Sequence, residues 1–391
     1  MRFHKQDRPV GLSCCVFGLL TFSAVCPAAP KTAQTYVGQA SALCRKGRDV
    51  ADAAPYLEAD AAIDRALELA PGNYDALKLR IVTLLGRRDF TEALKRAREL
   101  NRKTPDDIAI WGYLVDANMA IGDYAEAERD AQWILDLRRG STLGFLKAAA
   151  LREAFGDIEG ALEFYAEALL RASANDVQER AWLMTQTARL QLASGNAKRA
   201  GELIEGALKL NPESQFAFAA LAALKASQGN YADASAIRKQ LFEKTPNAHN
   251  LYELAGLLEK SGQHAEAETA FRDFETKALA EEDKTFNANR ELVFYYADRR
   301  QSPSRALTIA TRVAELRHDS ETLDAYAWAL YRSGKFADAQ EQIDRALAPG
   351  VRDGGYFCHA LRIATANRDA AGVKRFEKEL SLIGSVCEIS K

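Results

Sequence analysis

Small and large apolar residues return along this chain with a fixed phase. The clearest copy is residues 111–127, reading W-G-Y-L-V-D-A-N-M-A-I-G-D-Y-A-E-A. Trp111 and Leu114 lie three apart and so share one face of a helix. Gly122-Asp123 breaks that helix, and Tyr124 with Ala127 opens a second. If Ile108 is position 1 of a unit, Trp111 stands at 4, Leu114 at 7, Gly-Asp-Tyr at 15–17 and Ala127 at 20.

Position 20 recurs as Ala59, Ala93, Ala127, Ala161, Ala200, Ala234, Ala267, Ala306 and Ala339, and Val373 closes the series. Steps are 33 or 34 residues, with two of 39. The turn between the helices keeps the same phase, as in Arg88-Asp89-Phe90, Gly156-Asp157, Gly195-Asn196, Gly229-Asn230-Tyr231 and Gly334-Lys335-Phe336. Glycine there allows the positive φ that a tight turn between antiparallel helices requires. Pro71, Pro105, Pro212 and Pro246 end second helices, because proline cannot continue a helix interior. Position 8 is mostly small, at Gly47, Ala149, Ala188, Ala222, Ala255 and Ala327. Small residues at 8 and 20 let two helices approach closely, while larger ones at 4, 7, 11 and 24 fill the flanks.

This pattern resembles the tetratricopeptide repeat, a helix–turn–helix unit of about 34 residues. The resemblance implies an all-α fold, a right-handed superhelical solenoid of stacked antiparallel helix pairs. About ten repeats are expected over residues 40–387, after a short linker at 29–39. The first unit (40–73) and the last (354–387) are the least regular, as end caps are. Extra residues around 176–180 and 282–286 should lengthen the second helix of their units or the loop after it.

Composition narrows the partners. With 48% hydrophobic and 27% charged residues and a formal net charge of −2, the chain reads as folded, with no pull toward nucleic acid. The first residues are of another class. Arg2, Lys5 and Arg8 precede an apolar run at 10–25 that ends in C-P-A-A-P. Cleavage after Ala28 fits a signal peptide at 1–28, and hence an exported, periplasmic protein with no membrane span after cleavage. The alternative is an uncleaved segment that anchors the chain to the inner membrane, since the run could nearly cross a thin bilayer.

Cleavage would leave Cys44, Cys358 and Cys387. Cys358 falls at position 5, early in the last first helix, and Cys387 at position 34, past the last second helix. Antiparallel packing brings those two ends together, so a disulfide is expected there, while Cys44 has no evident partner.

Catalytic chemistry has no visible carrier. His249, His264, His318 and His359 fall in different repeats, without HExxH, CxxC or GxSxG, so no metal, cofactor or enzymatic activity is expected. The resemblance points instead to positions 2, 5, 9 and 12 of each first helix, which face a concave groove. They supply Leu143, Leu146, Trp182, Leu192, Phe216, Tyr252, Tyr295, Trp328 and Tyr331. Interleaved with them are Asp116, Glu153, Arg189, Glu259, Glu291, Asp298, Glu321 and Asp324. Aromatic anchors with a polar rim suit a protein or peptide partner.

Relatives that hold an acidic C-terminal peptide carry Lys at 5 and Asn at 9. Here those pairs read Lys78/Val82, Gly112/Asp116, Leu146/Ala150 and Thr185/Arg189, so that clamp is absent. The acidic edge of the later groove favours a neutral or basic segment. The expected function is therefore an interaction scaffold. The rival readings are an envelope-tethered assembly factor and an accessory subunit of an enzyme complex, using the convex face or the caps.

Overall fold

A computed structural model describes residues 32–50, 52–282, 284, 289–385 and 387 of the chain. The expected signal peptide at 1–28 lies outside the described residues. Among the described residues ten helical hairpins follow one another. They are α1 (Ala33–Val50) with α2 (Ala54–Leu69), α3 (Tyr74–Gly86) with α4 (Phe90–Asn101), α5 (Ile108–Ile121) with α6 (Tyr124–Leu137), α7 (Thr142–Ala154) with α8 (Ile158–Arg171), and α9 (Val177–Ala193) with α10 (Ala197–Leu210). The second five are α11 (Gln215–Ser227) with α12 (Tyr231–Lys244), α13 (Ala248–Lys260) with α14 (His264–Ala280), α15 (Asn289–Phe294) with α16 (Pro303–Leu316), α17 (Ser320–Arg332) with α18 (Phe336–Leu347), and α19 (Gly354–Ala366) with α20 (Ala370–Leu382). Odd-numbered helices are called A and even-numbered ones B. Among the described residues there is no strand.

All nine position-20 alanines are 0% exposed, and Ala149, Ala188, Ala222, Ala255 and Ala327 at position 8 are at most 1% exposed. A methyl group is therefore the largest side chain the A–B crossing admits, and enlarging one would overpack it at a cost of about 1–3 kcal/mol. Position 15 is left-handed in nine hairpins. Glycine supplies it in six, from Gly122 to Gly334, and Arg88, Gln301 and Arg368 supply it in the others. The next residue often starts helix B. Asp123, Asp157 and Asn196 accept from the Glu126, Gly160 and Arg199 amides as N-caps.

Three details differ from expectation. α1 begins at Ala33, ahead of the start expected near Ala40, so the later part of the supposed linker is helical. The insertion near 176–180 lengthens helix A rather than B, because Asp176 accepts from the Glu179 amide and caps α9 at that point. α15 passes into a π-helical segment, Tyr295–Arg299. At the C-terminus a disulfide joins Cys358 to Cys387, with Cα atoms 5.2 Å apart. Cys44 is buried, and burial first, then the nearby Asp60, pushes its thiol up to about 11. It is a packed thiol rather than a reactive one.

The superhelix also touches itself. A Cβ placed on Gly122, in the α5–α6 turn, would lie 2.6 Å from the His318 carbonyl oxygen, and one on Gly156 would collide with the Gly350 carbonyl. The Tyr124 hydroxyl lies 3.4 Å from the Ser320 amide and accepts from it. Arg317 sits over the Phe90 ring, 5.3 Å from its centroid, and Asn247 donates to Asp52 at 3.5 Å. Turns of repeats 1–4 thus rest on the loops that enter repeats 7, 9 and 10. We call this contact the seam.

Candidate functional site

Along the inner face, side chains tie several A helices to a neighbouring repeat. Lys78 pairs with Asp107 at 2.7 Å, Lys147 with Asp116, and Arg189 with Glu153 at 2.6 Å. Further on, His249 Nδ1 meets Glu291 at 2.9 Å, and the Trp328 indole N–H donates to Asp298 at 3.0 Å. Arg332 joins Asp298 at 2.6 Å, and His359 Nδ1 meets Asp324 at 2.8 Å. Glu259 pairs with Arg299 at 2.6 Å. Of the carboxylates expected to give the later groove an acidic edge, Glu259, Glu291, Asp298 and Asp324 are already bonded within the solenoid. Glu321 is exposed and makes no such bond among the described residues, so the expected preference for a neutral or basic segment keeps little support.

The proposed anchors divide. Leu146, Trp182, Phe216, Tyr252 and Tyr331 are half-buried, and Arg189 is exposed, though paired with Glu153. Tyr295 and Trp328 are 1% and 3% exposed, so neither is an open groove anchor. For Tyr295 the reason is the π-helical segment, whose i→i+5 bonding inserts a residue and shifts the face. Tyr295 and Tyr296 both point at α14, where each donates to Glu275 at 2.8 Å. For Trp328 the reason is its neighbours. The indole stacks on His359 at 4.3 Å and on Tyr331 at 5.0 Å, and its N–H is held by Asp298.

A cavity of about 770 Å³ lies where α1, α2 and the α3–α4 turn face α12 to α17. Its walls include Lys46, Glu58, Arg88, Lys244, His249, Glu291, Arg317 and Glu321. Burial pushes the Glu291 carboxyl up, but the His249 hydrogen bond and charge outweigh it and hold Glu291 at about 2. The same bond raises His249 above its ordinary value. Burial, then Arg317, lowers the Arg88 guanidinium. Periodicity could not reveal this cavity, because distant repeats build it. One signal was present, an arginine at position 15 where most hairpins carry glycine. Among the described residues no group of His, Cys, Asp and Glu is arranged to hold a metal ion.

Residues 78–141 match the tetratricopeptide repeat family, and they span the helices that bear Trp111, Gly122 and Ala127. Among the described residues the buried position-20 alanine recurs in nine of the ten hairpins. Over residues 78–141 the chain carries the tetratricopeptide repeat. Similar solved structures include a tetratricopeptide repeat protein from Parabacteroides merdae, 17% identical over 66% of this chain and 98% of that one, with a TM-score of 0.45. Another is Cut9–Hcn1 of the APC/C, 13% identical over 79% of this chain and 52% of that one, at 0.45. A third is PilW, a type IV pilus biogenesis factor, 13% identical over 52% of this chain and 93% of that one, at 0.44. No curated protein matches the chain.

Proposed function

We propose that this tetratricopeptide repeat protein is an exported, non-enzymatic scaffold that holds a segment of a partner protein along the inner face of repeats 4–7. One observation carries the reading. Leu146, Trp182, Phe216 and Tyr252, from four successive A helices, stay half-buried while the acidic groups of the same face are paired across repeats. An apolar strip flanked by satisfied polar groups can bury a partner side chain without stripping water from an unpaired charge. Stacked hairpins also hold the strip in place before binding, which lowers the ordering cost.

Affinity capture from the cell envelope, with mass spectrometry, tests this. Trp182→Ala with Phe216→Ala should abolish capture and leave helicity unchanged by circular dichroism. Undiminished capture by that variant sinks the inner-face assignment. Export rests on residues 1–28, and N-terminal sequencing of the mature protein should begin at Ala29. Retention of those residues would favour the anchored alternative.

One observation favours outer-face assembly as the second reading. Leu69, Leu170, Leu316 and Leu382 end or nearly end four B helices and are 58%, 77%, 53% and 64% exposed. Capture that survives the inner-face pair but fails with Leu170→Ser and Leu316→Ser would place the contact there.

A further inference from the structure

Arg88 is held in a conformation that its side chain does not favour. Position 15 needs a left-handed backbone, six hairpins meet that need with glycine, and Arg88 meets it at φ 59°. A Cβ in that region crowds the following carbonyl, so an arginine there is strained relative to glycine. Its side chain lines the seam cavity, and among the described residues its guanidinium has no hydrogen bond or ion pair.

A second guanidinium stands in the same cavity. Arg317 is fixed by Asp319 at 2.9 Å and by the Phe90 ring beneath it. Lys46, Lys244 and Lys277 add positive charge from α1, α12 and α14, and Arg290 adds it from α15. Against these six cations stand five carboxylates, Asp52, Glu58, Glu281, Glu291 and Glu321. Asp52 already accepts from the Ala54 amide at 2.7 Å, and Glu291 is paired with His249. The cavity volume lies within the roughly 300–1,000 Å³ typical of ligand pockets. Arg88 is exposed where it lines the cavity, so its unused N–H donors are open to an anion.

We propose that the seam cavity binds an acidic peptide segment, with a side-chain carboxylate seated between Arg88 and Arg317. Guanidinium matches carboxylate with paired N–H donors, which a lysine point charge does not. Because the walls come from both sides of the seam, the bound segment bridges early and late repeats and favours the closed superhelix. This inference shares with the scaffold reading only the premise that the partner is a protein.

The test is fluorescence anisotropy of a labelled short Asp/Glu peptide with the purified protein at low salt. A Lys/Arg peptide and inorganic phosphate serve as competitors. Binding of the acidic peptide is expected, weakened roughly tenfold or more by Arg88→Gly and by Arg317→Gln, and weakened again by added salt. Arg88→Gly should melt at the same temperature as wild type or higher, because glycine suits that φ. Loss of binding would then not be a folding defect. The idea is overturned if the acidic peptide does not bind wild type, if the basic peptide competes equally, or if Arg88→Gly binds unchanged. Displacement by phosphate at concentrations equal to the peptide overturns it in favour of a free-anion site. The Trp182→Ala, Phe216→Ala variant should still bind the acidic peptide whether or not it captures a partner, so the two assignments fail separately.

Discussion

Within each hairpin, wholly buried alanines bring two helices together and large apolar side chains close the gaps around them. At the seam, the same turns meet late loops through backbone carbonyls, with glycine where a side chain would collide. The stack therefore draws on apolar area spread over many residues, and no single contact decides it. The seam draws on the absence of atoms at Gly122, Gly156 and Gly350, and on polar contacts of 3.4–3.5 Å such as Tyr124–Ser320 and Asn247–Asp52. Contacts of that length contribute little. We expect the seam to open before any hairpin unpacks, as the weakest cooperative part of a solenoid does.

The largest effect should come from the stack. Trp328→Ala removes a fully packed indole and leaves Asp298 without that donor, so urea unfolding should show a loss of about 3–5 kcal/mol. Phe216→Ala, at a half-buried inner position, should lose clearly less. Equal losses would mean that the two inner stretches are filled alike and that repeats 4–7 offer no accessible strip.

Next comes a pair of glycines that separates seam from turn. Gly229 and Gly156 share the left-handed conformation, with φ 78° and 74°, but a Cβ on Gly229 meets nothing within 4 Å. Gly229→Ala should cost about 1 kcal/mol from the backbone alone. Gly156→Ala should cost roughly twice that, and small-angle scattering should show a larger radius of gyration at unchanged helicity. If the two variants match in both respects, the seam contributes nothing to the shape in solution.

Inside the stack, one polar pair is incompletely satisfied. Asn118 donates to Asp130 at 2.8 Å, while its own carbonyl oxygen has no partner. Burial raises the Asp130 carboxyl to about 6, partly opposed by the Asn118 bond. The folded value lies above the ordinary 3.8, so this site's contribution is fully present below about pH 4 and is lost as pH rises through about 6. Asp130→Asn supplies an N–H for the orphaned oxygen and removes the buried charge. It should stabilise the protein by about 1–2 kcal/mol at pH 7, with the advantage fading as pH falls from about 6 to about 4. Melting curves of both proteins across that range check the sign.

The stack was legible in the sequence because every repeat solves the same local problem. Alanine at 20, glycine at 15 and a cap at 16 depend on neighbours within one hairpin, and a fixed period exposes them. The inner face was legible only where the helix stayed regular. Positions 2, 5, 9 and 12 located the half-buried Trp182 and Phe216, but the π-helical segment turned Tyr295 toward Glu275. Trp328 was closed off by His359 and Tyr331, one of them from the next repeat. The seam was not legible at all. Tyr124 and Ser320 are 196 residues apart, and whether they meet depends on small rotations summed over several repeats. No local pattern encodes that sum.

The smallest expected effect bears most directly on Arg88. Gln301 is the other left-handed, non-glycine residue at position 15 before the final repeat, with φ 47°, and its side chain is exposed and not part of the cavity wall. Gln301→Gly relieves the backbone while giving up nothing that the side chain holds. Offset by the extra freedom of glycine in the unfolded chain, the gain should be about 0.5 kcal/mol. Arg88→Gly relieves the same conformation and also removes a cation that stands near Arg317 on one side and Glu291 and Glu321 on the other. If it gains as much as Gln301→Gly or more, the Arg88 side chain adds nothing to the fold, and a strained arginine is kept for what it binds. If it loses stability instead, Arg88 is a strut of the seam, and the reason for an arginine at that turn is structural.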